Sequence, residues 1–264
     1  MTAHFRDLLV AEWMKWWSLR STTWTLLLSA LTILTVNCWS AYNDLTNFER
    51  FSADARADFT RYAMSDAFTP SSCLALMLAI GALGAGVVVG EYSTGLIRTT
   101  FVAVPSRAAV IAAKLLVLLA VTTGYGLIVG VGSFLATQTI LDGKGAGLEL
   151  SDPGVPEQVL ATVLLAPLTA LVAMAFGILV RHSIGTLTAF VLAFMLLPLA
   201  LGEDLYATAL LSHATPYRAW LRIADIQFGD QPYPWTPAGG WTVYAVWAAV
   251  SIALAVTVVR RRDH

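Results

Sequence analysis

An all-α integral membrane protein with six transmembrane helices is the fold this sequence predicts, and three observations predict it. Of its 264 residues, 57% are hydrophobic and only 12% charged, with a mean hydropathy of +0.69. A soluble domain carries charge on about a quarter of its residues. Uncharged runs long enough to cross a hydrocarbon layer of about 30 Å, which takes roughly 20 helical residues, recur six times. Lysine and arginine are also divided unevenly between the segments that connect those runs.

The elements follow in order. Before the first run, Phe5, Leu8, Leu9, Trp13, Trp16 and Trp17 recur at i, i+3, i+4 spacing, the pattern of a helix lying in the membrane interface. Glu12 projects into that apolar face, and a plain extension of the first span is the competing reading. Residues 1–20 are not read as a secretory signal, because Glu12 and Lys15 interrupt the run and no small-residue cleavage site follows. The expected spans are Ser21–Tyr42, Ala67–Gly90, Ala108–Thr139, Gln158–Val180, Ser183–Gly202 and Gly239–Val259. Lys114, near the start of the third, is expected to snorkel to the interface. Between the fifth and sixth lies Glu203–Ala238, rich in proline and aromatic residues. Arg218 and Arg222 sit there at i, i+4 spacing, so short helices are expected, as a lid or as an interfacial anchor. The chain reads as one transmembrane domain over 1–264.

Orientation follows the positive charges. With the N-terminus inside, Arg6, Lys15, Arg20, Arg98, Arg107, Lys114, Arg181, Arg260, Arg261 and Arg262 fall inside. Arg50, Arg56, Arg61, Lys144, Arg218 and Arg222 fall outside, ten against six. Both termini are therefore expected in the cytoplasm. The Ala-, Val-, Leu-, Gly- and Arg-rich composition fits a bacterial source and hence an inner membrane. A net charge of −1 offers no field for nucleic acid.

Several chemistries are missing. No G-x-x-x-x-G-K-[ST] phosphate loop occurs, and Asp142-Gly143-Lys144-Gly145-Ala146-Gly147 reads as a turn. No acidic residue or histidine lies deep in an expected span, which demotes an ion-coupled carrier. His4, His182, His213 and His264 are scattered and form no metal motif. Cys38 and Cys73 both fall near outer ends of spans; small apolar membrane residues are the favoured reading over a disulfide. Gly86/Gly90 and Gly126/Gly130 are G-x-x-x-G pairs suited to close helix packing. Asn37, Thr122, Thr123, Thr186 and Thr188 are polar residues within spans and candidates for a pathway lining, although such hydroxyls usually bond to their own helix. Asn37, a lone amide in lipid, needs a partner.

The most informative stretch is Gly90-Glu91-Tyr92-Ser93-Thr94-Gly95-Leu96-Ile97-Arg98-Thr99-Thr100, running on to Pro105-Ser106-Arg107. It is charged, turn-rich and wedged between two apolar runs. A helix from about Tyr92 would align Ile97, Phe101 and Val104 in one stripe, and Pro105 would stop it. Glu91 and Arg98 would stand about 10 Å apart, too far to pair directly. Glu91 is then expected to fix the bend, while Arg98 and the stripe face a partner. An ordinary interfacial loop is the alternative.

This segment resembles the cytoplasmic loop between spans two and three of bacterial ABC type-2 export permeases. Glu12-Trp13-x-Lys15 followed by Ser18-x-Arg20-Ser21-Thr22 is similar to the family's entry helix. Ala112-Ala113-Lys114 and the closing Arg260-Arg261-Arg262 fit as well. Trp16-Trp17 depart from the pattern, where a smaller or basic residue is expected; this leaves the depth of the entry helix open. The resemblance implies a six-span permease that pairs with a second copy or a paralogue into a twelve-span dimer. It also implies a separate cytosolic ATP-binding subunit that holds the ATP and Mg, so this chain carries no cofactor and no catalytic residue. Residues 91–107 would form the coupling helix, with Glu91, Tyr92, Gly95, Ile97, Arg98, Phe101, Val104, Pro105 and Arg107 at the ATPase. Glu12, Trp13, Lys15, Trp16, Trp17 and Arg20 would belong to the interfacial helix, and 203–238 to an outer hairpin capping the pathway. The expected function is export of a hydrophobic or amphipathic substrate by alternating access. An ion-coupled secondary transporter, and then a membrane-embedded enzyme or assembly factor, are the alternatives.

Overall fold

In the computed structural model, which describes residues 4–52, 56, 59–104, 106–226 and 232–262, every regular element among the described residues is helical. Six helices are long and apolar enough to cross a membrane. Six crossings would bring Phe5, at the start of the first helix, and Arg262, at the end of the last, to one end of the bundle, the termini end.

Helix α1 (Phe5–Ser18) opens on a reciprocal cap between His4 and Asp7. A single extended residue, Leu19, separates it from α2 (Arg20–Asn47), so the chain turns sharply between them. A short helix, α3 (Phe59–Ala67), leads into the long α4 (Pro70–Thr94). Thr69 caps α4, accepting from the Ser72 N–H, and Pro70 occupies its first position, where a missing N–H costs nothing. Asn37 clips this junction to the bundle. Its amide donates to Ala67 O (2.9 Å) and Ser133 Oγ (3.1 Å) and accepts from Thr69 Oγ1 (2.9 Å) and Thr69 N (3.3 Å).

Helix α5 (Leu96–Ala103) is followed by α6 (Arg107–Leu141) and α7 (Val155–Val180), with 142–147 between the last two closing as a turn through Gly145 at φ +65°. Helix α7 is the centre of the bundle, lying against α4, α6 and α12 (Pro237–Arg262). Such close contact needs small residues. A side chain at Gly84 would strike the Ala170 backbone, and one at Gly126 the Val163 carbonyl. Gly86 and Gly90, the other expected packing pair, face open space.

Helix α8 (Ser183–Val191) passes through a π turn, Leu192–Leu196, into α9 (Leu197–Ala200). The wider turn makes room just where Pro198 lacks an N–H. At the far end, α10 (Tyr206–His213) and α11 (Pro216–Ile223) do more than float at an interface. Helix α11 buries Tyr217, Trp220, Leu221 and Ile223 against α7 and α12, and Trp220 Nε1 donates to Thr162 Oγ1 at 2.9 Å. Arg218 donates to Pro198 O and lies 3.5 Å from Glu203. Cys38 and Cys73 are free thiols.

Candidate functional site

Four charged side chains from three separate stretches meet at the end of the bundle that carries the termini. On α1, Glu12 and Trp16 are one turn apart and both buried, with Lys15 beside them. Glu91 stands in the last turn of α4, and Lys114 in the second turn of α6. Lys15 Nζ donates to Glu12 Oε1 at 2.7 Å and to Glu91 Oε1 at 2.8 Å. Lys114 Nζ donates to Glu12 Oε2 and Glu91 Oε1, each at 2.8 Å. The four form a closed ring of alternating sign with no net charge.

That arrangement is what makes burial tolerable. An isolated ion taken out of water carries a penalty of several kcal/mol, which opposite charges and good hydrogen-bond geometry offset. Lys114 is only 2% exposed and does not snorkel as its position near a span end implied; α1 lies across it and supplies Glu12. Lys15 remains half open at 46% side-chain exposure. Burial works against its charge, but bonds to Glu12 and Glu91 outweigh that, and its pKa stands above the ordinary lysine range.

The exit from α4 is also built differently from a continuous helix starting near Tyr92. Gly95 at φ +72° ends α4 with its N–H on Tyr92 O, and α5 starts afresh at Leu96. The left-handed conformation is the reason a glycine stands there. Val104 is extended and lies outside α5, as befits a residue before proline. Pro105 and the side chains of Ile97, Arg98 and Phe101 lie outside the described residues, so the expected stripe and the Arg98 contact do too. Leu96 and Val102, the latter 86% exposed, present apolar surface on this helix. Tyr92 holds the other side of the exit, its ring under the Arg181 guanidinium at 4.4 Å. Arg181 itself takes a left-handed conformation at the end of α7.

Other expected site residues fall elsewhere. Trp13 and Trp17 are exposed on α1 with rings 5.8 Å apart, whereas Trp16 is buried against the bundle. Arg20 opens α2 and is exposed, and Arg107 opens α6. Asn37 borders a cavity of about 10 Å³ with Ser133, Thr162 and Trp220, enough for one water. Thr122 is buried and donates to Leu118 O; Thr186 is buried, Thr123 half-buried and Thr188 exposed. Among the described residues no cluster of His, Cys, Asp and Glu could hold a metal.

Beside the ring, between α2 and α4, opens a cavity of about 530 Å³, whose lining includes Glu12, Lys15, Glu91 and Lys114. No protein-family model matches this chain, and no curated protein matches it. The functional reading therefore rests on this geometry and on the sequence. The reading of residues separately missed the ring, although one signal was present: a lone glutamate on an apolar helix face requires a buried cation.

Proposed function

We propose that this chain is the membrane-spanning subunit of an ATP-driven exporter, with a separate cytosolic ATPase docked on 91–107. The observation that supports the reading best is the mounting of α5. It is short and carries exposed apolar side chains. It hangs from α4 through the Gly95 hinge, four residues beyond Glu91 in the charged ring. A push on α5 would reach the end of α4 first. Through Glu91 it would reach α1 by Lys15 and α6 by Lys114, so that three elements move together. Such coupled motion is what alternating access demands of a subunit without an ATP site of its own. The substrate would leave by the end that α10 and α11 cap.

An ion-coupled carrier is the second reading, favoured by one observation. Asp66 is buried near the far end, receiving the Ser40 hydroxyl at 2.5 Å, and buried ionisable groups in membrane proteins often serve ion movement. Copurification and transport separate the two. Val102→Asp should abolish capture of the cognate ATPase at equal expression, because it puts a charge where apolar contact is needed. Wild-type capture by this variant would place docking elsewhere. Transport by this polypeptide alone, driven by a proton or sodium gradient, would favour the carrier.

A further inference from the structure

The cavity beside the charged ring has a polar end and an apolar end, and its polar end is only half used. Glu91 accepts both lysines through Oε1; among the described residues, its Oε2 has no hydrogen-bond partner. Thr22 also lines the cavity, and no described residue bonds its hydroxyl. Thr22 is more than nine-tenths buried, at 6% exposure, and the Glu91 side chain is 11% exposed. Ser21 and Leu19 complete this corner, where the 28-residue helix α2 starts without a side-chain cap. Helix starts attract anions. Lys15, with two of its three donors used, adds a positive charge on the same side.

The apolar end is a groove on α4. From Glu91 the lining runs back through Gly90, Val87, Gly86, Leu83 and Ala82, about 13 Å along the helix axis, parallel to an acyl chain in one leaflet. Gly86 and Gly90 have no neighbour within 4 Å of where a side chain would begin, so they hollow the wall and pack against nothing.

We propose that this cavity binds one phospholipid whose headgroup carries a phosphate and a primary ammonium, the ethanolamine type. The phosphate sits at the α2 start, on Lys15 and the Ser21 and Thr22 hydroxyls. The ammonium donates to Glu91 Oε2, and one acyl chain lies along Gly86 and Leu83. The complementarity selects among lipids. A quaternary choline head has no N–H to give Glu91, and an anionic glycerol head brings no cation to that carboxylate. Because the ring is neutral by itself, it needs a zwitterion to stay so.

The test uses the full chain in detergent and in nanodiscs, without any ATPase, so its failure leaves the exporter reading untouched. Native mass spectrometry after delipidation and titration with phosphatidylethanolamine, phosphatidylcholine or phosphatidylglycerol should show one retained molecule of the first only. Gly86→Leu, which fills the groove, should lose that retention while keeping the lipid-free unfolding temperature. Thr22→Val, close in shape but without the hydroxyl, should weaken it several-fold and decides the matter if Gly86→Leu does not fold. Equal retention of all three lipids would mean boundary lipid only and would overturn the proposal. So would undiminished ethanolamine-lipid retention by folded Gly86→Leu or by Thr22→Val.

Discussion

Lys114 is the residue on which the termini end of the bundle depends most. It is buried, and it joins two carboxylates from different elements. Lys114→Met would leave Glu12 and Glu91 together with only Lys15 between them, at a cost of about 3–5 kcal/mol, the usual penalty for breaking a buried pair. The double variant Lys114→Met with Glu91→Gln leaves Glu12 and Lys15 as a neutral pair and should recover most of that loss. Lys15→Met should cost much less, because its ammonium is half in solvent. Thermal unfolding of the four proteins in detergent measures all of this. A Lys114→Met protein as stable as the parent would show that the ring is not closed in solution. None of these pairings was legible in the sequence, where Lys114 read as a snorkelling side chain and Glu12 as a flaw in an apolar face. Asn37 was legible as an amide in need of a partner; which backbone groups it clips was not.

Among elements, α1 is the one tied to the bundle through the charged ring. It packs on the start of α6, and its polar attachment runs through Glu12 and Lys15. The raised pKa of Lys15 gives that attachment a sign. A lysine whose folded pKa exceeds its free value contributes fully below the free value, and the contribution is lost as pH rises through the folded one. Helix α1 should therefore stay docked at neutral pH and loosen only above the ordinary lysine range. A direct check is amine labelling at mildly alkaline pH. Lys15 and Lys144 are comparably exposed, at 46% and 48%, yet Lys15 should react several-fold more slowly. Glu91→Gln should speed Lys15 and leave Lys144 unchanged. Equal rates in the parent protein would remove the claim. Helix α5 shows the limit of periodicity as a guide. A stripe drawn from Tyr92 ran straight through Gly95, because hydrophobic spacing does not report a left-handed backbone angle.

At the scale of the molecule, the arrangement of charge around six crossings is itself testable. In a background without Cys38 and Cys73, a cysteine at Glu149 should react with an impermeant maleimide on intact cells, and one at Ser93 should not. Ser93 precedes α6 and Glu149 follows it, so labelling of Ser93 alone would invert the molecule. That six helices are long and apolar enough to cross, and their approximate limits, was determined by the sequence alone, for a physical reason. Crossing a bilayer depends on hydrophobicity summed over contiguous residues, and contiguity is what a sequence records. Only the tertiary structure decided how the polar residues are used. Glu12 and Lys114 stand 102 residues apart, and whether they meet depends on how α1 folds back and how α6 is rotated about its axis. The two G-x-x-x-G pairs make the same point. Gly126 and Gly130 bring α6 against α7, while Gly86 and Gly90 line an opening, because identical spacing on a helix does not say which neighbour, if any, lies opposite.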